Sequence, residues 1–158
     1  MKPSYDQLKK FMESYFRAYN DYAQREETMH LMDKFWSDDF VSVAYMQLKG
    51  QSYPLRIVGK KAWQDFLIKG HLTVIEDFIP LEYTIDPEQM SCTARLRIKK
   101  FALDTRELLT DADGIAFYRL TVTREGKPII KSLDFYCGDP ARFASLYKPE
   151  NNLVCSEV

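Results

Sequence analysis

Apolar residues near the start of the chain recur at intervals of three and four, the spacing of one face of an α-helix. Ser4 and Gln7 stand at capping-box spacing before them, so the pattern predicts a helix over residues 4–24. Similar spacing predicts a second helix through residues 29–36 and a third over residues 60–69, which Gly70 ends. The first apolar stripe consists of Leu8, Phe11, Met12, Tyr15, Phe16, Tyr19 and Tyr22.

The other apolar positions form β-like runs separated by turn sequences. Residues 40–47 and 52–58 flank Lys49-Gly50, which predicts a hairpin. Helices at the front followed by an antiparallel meander predict an α+β domain over residues 1–148, and residues 149–158 are expected to form a flexible tail. Four longer strands are predicted over about 72–85, 90–103, 113–123 and 128–137, with turns at 86–89, 111–114 and 124–127.

Charge and cysteine usage narrow the classes of partner. The 158 residues include 22 basic and 23 acidic side chains, so we expect neither nucleic acid nor membrane as a partner. The three cysteines are widely spaced and the N-terminus has no apolar secretory segment, which favours a cytoplasmic location with reduced thiols. His30 and His71 have no further ligands at metal spacing, so we expect no metal site. The aromatic share of 14% suggests large side chains around a core or a pocket.

Three segments carry a resemblance to a known family: F-W-S-D-D-F-V-S-V at 35–43, V-G-K-K-A-W-Q-D-F-L at 58–67, and G-K-P-I-I-K-S-L-D-F-Y at 126–136. With the order of elements, they resemble the NTF2-like superfamily, which includes SnoaL-like and ketosteroid isomerase-like proteins. The resemblance implies three N-terminal helices packed on a curved, mainly antiparallel sheet, with an apolar pocket inside the cone. It also implies a homodimer and no cofactor.

The resemblance suggests roles for several residues. Tyr15 stands where ketosteroid isomerase-like members have a tyrosine that donates a hydrogen bond to the substrate oxygen, and Tyr118 stands near a second donor of that site. Ala44 replaces their general-base aspartate, which argues against a steroid-isomerase mechanism. Asn20 replaces an aspartate of dehydratase-like members, and His71 lies near the position of their catalytic histidine.

Asp134 is similar in position to the last-strand acid of cyclase-like and epoxide hydrolase-like members. If Asp134 faces the cone, its desolvated carboxyl suits acid–base chemistry; the alternative is an outward carboxylate paired with a surface cation. The inward face of the predicted strand over residues 90–103 is also ambiguous. Alternation places its apolar residues inside, whereas the family register turns Arg95 and Arg97 toward the pocket and makes it basic.

The sequence is compatible with two functions. The first is acid–base lyase, isomerase or hydrolase chemistry on a small apolar or aromatic molecule, with Asp134, Tyr15 and His71 as the catalytic residues. The second is a non-catalytic ligand-binding or dimeric scaffold protein, which would be favoured if Asp134 faced away from the pocket. The residues predicted to line the pocket are Tyr19, Asn20, Trp36, Tyr45, Phe66, Arg95, Tyr118 and Tyr136.

Overall fold

The computed structural model describes residues 2–45 and 54–138 of the chain. The predicted hairpin turn at Lys49-Gly50 and the predicted tail over residues 149–158 lie outside the described residues. The helices are α1 (Tyr5–Tyr22), a 3-10 helix (Met29–Met32) and α2 (Lys60–Gly70). The strands are β1 (Trp36–Tyr45), β2 (Leu55–Val58), β3 (Val74–Asp86), β4 (Ser91–Ala102), β5 (Leu108–Val122) and β6 (Pro128–Gly138).

The strands form one six-stranded sheet in the order β2-β1-β6-β5-β4-β3. The pairing of β1 with β6 is parallel, and the other four pairings are antiparallel. The inner face of the sheet and the apolar side of α1 bury one aromatic-rich core. The predicted α+β class is therefore confirmed. The largest fully buried side chains of the core include Trp36, Tyr15, Phe35 and Phe40.

The first helix begins as its sequence predicts. The Ser4 hydroxyl accepts a hydrogen bond from the Gln7 backbone N–H at 3.3 Å, and the Gln7 side chain accepts one from the Ser4 backbone N–H at 2.8 Å. This reciprocal capping box satisfies two N–H groups that a bare helix end would leave without partners.

The second predicted helix is largely wrong. Only a four-residue 3-10 helix forms over Met29–Met32, and Trp36 already belongs to β1. The Ile130 backbone N–H donates to the Phe35 carbonyl at 2.8 Å, and Trp36 is paired with Ile130 of β6. Pairing with β6 thus overrides the helical spacing of this segment.

The predicted turn at residues 111–114 is also wrong, because these residues lie within β5. Asp111 and Asp113 alternate outward and pair with Arg97, while Gly114 faces the core. A Cβ at Gly114 would lie 2.8 Å from Ile98 Cδ1 and 3.1 Å from the Phe135 ring. The glycine therefore permits close packing inside a strand, where its sequence context suggested a turn.

Within the described ranges, no helix is long and apolar enough to cross a membrane.

Candidate functional site

A cavity of about 230 Å³ lies between α1, α2 and the inner face of the sheet. Most of its wall is aromatic, and a small group of polar side chains gathers near the end of α2 and the start of β3. The aromatic wall comprises Tyr15, Phe16, Tyr19, Trp63, Phe66, Phe78, Tyr118 and Phe135, the polar group comprises His71, Glu76 and Lys100, and Ser42 of β1 also lines the cavity. An apolar cavity with a few convergent polar groups is typical of small-molecule sites.

The polar group is built around a buried histidine–glutamate pair. His71 Nε2 lies 2.7 Å from Glu76 Oε2, and both side chains are over nine-tenths buried. His71 Nδ1 lies 2.6 Å from the carbonyl oxygen of Leu67, in the last turns of α2. Lys100 Nζ contacts the other carboxylate oxygen, Glu76 Oε1, at 3.3 Å.

The hydrogen-bond partners of the His71 ring nitrogens indicate where the protons of the His71–Glu76 pair lie. The Leu67 carbonyl can only accept, so Nδ1 of His71 carries a proton. The contact between Nε2 and Glu76 Oε2 needs one further proton, which belongs either to an imidazolium or to a protonated carboxyl. In both arrangements the His71–Glu76 pair has no net charge and holds one proton that can move between a nitrogen and an oxygen.

Residues after α1 hold the backbone on both sides of the pair. The Gln24 side-chain amide donates to the Glu76 carbonyl and accepts from the Glu76 backbone N–H at 2.8 Å. The Arg25 guanidinium donates to the His71 carbonyl at 2.7 Å. Because β3 is an edge strand, the Gln24 amide stands in for a missing neighbouring strand and fixes the position of Glu76.

Three cavity tyrosines are held in their neutral form. Burial raises the pKa of Tyr15, Tyr19 and Tyr118 well above the usual range of a phenol. For Tyr19, the nearby Glu76 carboxylate adds to the rise in pKa. These hydroxyls therefore keep their protons near neutral pH, and because Tyr118 donates its proton to Tyr15, the Tyr15 proton is available for a ligand oxygen.

Comparison with known proteins gives a match in structure alone. The sequence matches no protein-family model and no curated protein at a significant level. A pinacolase, BvnE from Penicillium brevicompactum, is 12% identical with a TM-score of 0.62, over 89% of this chain and 90% of that one. A ketosteroid isomerase-like protein from Erwinia carotovora atroseptica is 15% identical with a TM-score of 0.59, over 85% of this chain and 96% of that one.

A protein from Caulobacter vibrioides described as having a cystatin-like fold is 15% identical with a TM-score of 0.56, over 89% of this chain and 93% of that one. The chain therefore shares the cystatin-like fold of these solved structures, as its resemblance to the NTF2-like superfamily implied. The α+β class and the mainly antiparallel sheet implied by the resemblance are confirmed. Identities of this size carry no residue roles across, so the chemistry of this chain must be argued from its own cavity.

Five residues predicted for the site do lie in the cavity wall: Tyr15, Tyr19, Phe66, His71 and Tyr118. The structure places His71 next to the carboxylate of Glu76. The position of His71 in the sequence, directly after Gly70, did not predict this partner. Their roles in catalysis or binding stay predictions.

The predicted cavity-facing position of Asp134 is wrong, because its side chain lies on the outer face of β6. Leu133 and Phe135 line the cavity, and side chains of successive strand residues point to opposite faces. Alternation counted from the buried Ile130 would have turned Asp134 inward. However, Ile130 pairs with Leu120 while Ser132 pairs with the adjacent Arg119, so Lys131 is an extra residue that reverses the phase.

The other predicted lining residues lie outside the cavity wall. Asn20 bonds both backbone groups of Phe78 at 2.8 Å, and Trp36 is fully buried in the core behind Tyr15. Tyr45 and Tyr136 stack face to face on the exposed side of the sheet, with ring centroids 4.4 Å apart. Arg95 pairs with Glu82, and Arg97 with Asp111 and Asp113, so the apolar residues of β4 face inward as their alternation indicated.

Sequence reasoning missed Glu76, which is the partner of His71, and Lys100, which contacts Glu76. Lys100 continues the inward face of Cys92, Ala94, Leu96 and Ile98, so the alternation of β4 could have found it. Glu76 gave no such signal. Across residues 2–45 and 54–138, no cluster of three or more histidine, cysteine or acidic side chains could hold a metal ion.

Proposed function

We propose that this chain is an enzyme that moves a proton on a small, largely apolar molecule bound in the cavity. The observation that carries the proposal is the buried His71–Glu76 pair, which lines the same cavity as three neutral tyrosines. A proton-holding pair and hydrogen-bond donors on one apolar cavity are the parts that acid–base catalysis requires.

The proposed step is the transfer of a proton from a carbon next to a carbonyl group. Glu76 takes the proton, and the electron pair of the broken C–H bond moves to the carbonyl oxygen. Tyr15 stabilises that developing oxyanion by donating a hydrogen bond in a site shielded from water, and Tyr118 supports Tyr15 by donating its own proton to the Tyr15 hydroxyl oxygen. Return of the proton from Glu76 to a different carbon completes an isomerisation. In an elimination, the enolate instead re-forms the carbonyl and expels a leaving group from the carbon next to the deprotonated one, with its bonding electrons, and Glu76 gives its proton to that group.

The similarity in fold to proteins described as ketosteroid isomerase-like and as a pinacolase is consistent with isomerase chemistry on a small molecule, and it does not choose the reaction. Asp134, which the sequence favoured as the catalytic acid or base, has no part in the proposal because it lies on the outer face of the sheet.

Proton exchange tests the proposal before any substrate is known. Small cyclic and aromatic ketones would be incubated with the protein in D₂O, and loss of the protons beside the carbonyl followed by ¹H NMR. Wild-type protein is expected to accelerate exchange for at least one ketone. Glu76→Gln keeps the shape of the side chain but cannot take up the proton, so it is expected to lower that rate by about a hundredfold or more.

Asp134→Asn is the matched control, because it makes the same kind of change on the opposite face of the sheet. It is expected to leave the exchange rate within about twofold of wild type. Equal rates for wild type and Glu76→Gln, or a large loss in Asp134→Asn, would contradict the proposal.

A second function, ligand binding without turnover, is favoured by the outward position of Asp134 and by the contacts of His71. Both ring nitrogens of His71 already have protein partners, so the imidazole cannot contact a ligand without giving up a hydrogen bond. In that case ketones would bind in the cavity and broaden the NMR signals of its aromatic rings, yet no variant or wild-type protein would accelerate exchange.

A further inference from the structure

The cavity holds one positive charge more than its own side chains neutralise. Among the described residues that line it, Glu76 is the single acid, while His71 and Lys100 both contact its carboxylate. Since the shared proton makes the His71–Glu76 pair neutral as a whole, the ammonium group of Lys100 is left as the surplus charge. An unbalanced cation beside an apolar wall is unfavourable without a counter-charge.

Lys100 also has hydrogen-bonding capacity to spare. Its ammonium group carries three donors, and the contact with Glu76 Oε1 uses one of them. The side chain is 29% exposed, so the group lies between the cavity and solvent and remains open to a ligand.

Neighbouring cations of β4 are placed differently. Arg97 lies on the outer face, where its guanidinium contacts the carboxylates of Asp111 and Asp113. Lys99 follows the same outward alternation, with its Cα opposite Asp77 and Asp111 in the flanking strands. The positive charge that β4 directs into the cavity is therefore Lys100.

We propose that the natural ligand of the cavity is a small apolar acid whose carboxylate pairs with Lys100. Its apolar or aromatic body would pack against the ring-lined wall, and its single negative charge would balance the single surplus positive charge. A phosphate ester fits less well, because its charge approaches two negatives at neutral pH. The inference names the substrate class of the proposed function and rests on the same cavity.

Matched pairs of acid and amide test the proposal, because the two ligands differ mainly in charge. Binding of 4-phenylbutyrate and 2-naphthoate would be compared with that of 4-phenylbutanamide and 2-naphthamide by isothermal titration calorimetry at pH 7. Wild-type protein is expected to bind at least one acid about tenfold or more tightly than its amide, the ratio typical of a charge-assisted hydrogen bond.

Lys100→Met removes the charge and keeps the length of the side chain, so the acid-to-amide ratio is expected to fall to about one. Lys100→Arg retains the charge and should retain much of the preference. Lys99→Met is the control, since it removes the adjacent charge from the outer face and should leave the ratio unchanged. Thermal unfolding of each variant would confirm that it is folded, and Lys100→Gln replaces Lys100→Met if the latter is not.

The proposal is overturned if neither acid binds more tightly than its amide, or if the preference survives in a folded, uncharged Lys100 variant. These outcomes are separate from those of the exchange experiment. Glu76-dependent exchange without acid preference would remove this inference alone, whereas acid preference without exchange on any ketone would remove the enzymatic proposal alone.

Discussion

Replacing Glu76 by leucine should be among the more destabilising single changes in the cavity. The side chains of His71 and Glu76 are only 5% and 7% exposed, so neither can be rehydrated in place when its partner is lost. Glu76→Leu leaves His71 Nε2 and the Lys100 ammonium without their acceptor. Breaking a buried pair in this way typically costs about 3–5 kcal/mol, a large part of the stability of a small domain.

A double-mutant cycle separates the pair itself from the loss of packing. Leucine at both positions 71 and 76 fills the space with apolar atoms and leaves no half of the pair behind. His71→Leu/Glu76→Leu should therefore be less destabilised than the sum of its two single variants, with a coupling of about 1–3 kcal/mol.

Urea unfolding followed by circular dichroism measures all four free energies of unfolding at one pH. Glu76→Gln serves as the milder control, because an amide can still donate to a neutral His71 and should cost about 1 kcal/mol. Additive free energies in the cycle, or a Glu76→Leu variant as stable as wild type, would refute the buried pair.

Four further outcomes are expected. Gly114→Ala should cost about 1–3 kcal/mol of unfolding free energy, since its Cβ would meet the Phe135 ring at 3.1 Å; an unchanged urea midpoint would contradict that close packing. Gln24→Ala should cost about 1–3 kcal/mol and slow ketone exchange, because it frees the Glu76 backbone; normal exchange would show that Gln24 does not position Glu76. Burial raises the pKa of Tyr15 above its ordinary value of 10.0, so the contribution of the neutral phenol to stability is full below pH 10 and is lost as the pH rises further. In urea unfolding, Tyr15→Phe should therefore show a flatter decline of the free energy of unfolding above pH 10 than wild type, and an equally steep decline would refute this expectation. The expected homodimer, if formed through the exposed outer face of the sheet, should dissociate in Phe117→Lys, and sedimentation showing a wild-type monomer at micromolar concentration would contradict it.

Local patterns predicted most of the fold. The capping box and apolar stripe of α1 and the runs of β3, β4 and β6 agree with the structure to within a few residues. In α1 and β4 the apolar residues follow one clear period and bury the face that the period selects. The failures lie where a distant strand decides the outcome, as at Trp36, whose backbone pairs with β6 although its spacing is helical.

The site was harder to predict than the fold because one extra residue can exchange the faces of a strand. In β6 the bulge at Lys131 turns Leu133 and Phe135 inward and Asp134 outward, and nothing in the local sequence marks it. The resemblance of short sequence segments correctly placed Asp134 in the last strand. It could not show whether the side chain faces the cavity or the outer side of the sheet.

Glu76 was missed for a different reason. On one face of β3 stand Val74, Glu76 and Phe78, and on the other stand Ile75, Asp77 and Ile79, so each face offers two apolar residues and one acid. Their alternation therefore cannot select the buried face. The choice is made by Gln24, which bonds the backbone of Glu76 from 52 positions away in the sequence.

Both proposals for the cavity depend on the proton between His71 Nε2 and Glu76 Oε2, and ¹⁵N-resolved NMR of the imidazoles measures it most directly. The chain has two histidines, and His30→Gln assigns the signals of His71 by elimination. We predict a protonated Nδ1 and a strongly downfield proton shared with Nε2, which disappears in Glu76→Gln. A His71 with an unprotonated Nδ1, or with the spectrum of a solvent-exposed imidazole in wild-type protein, would contradict the account.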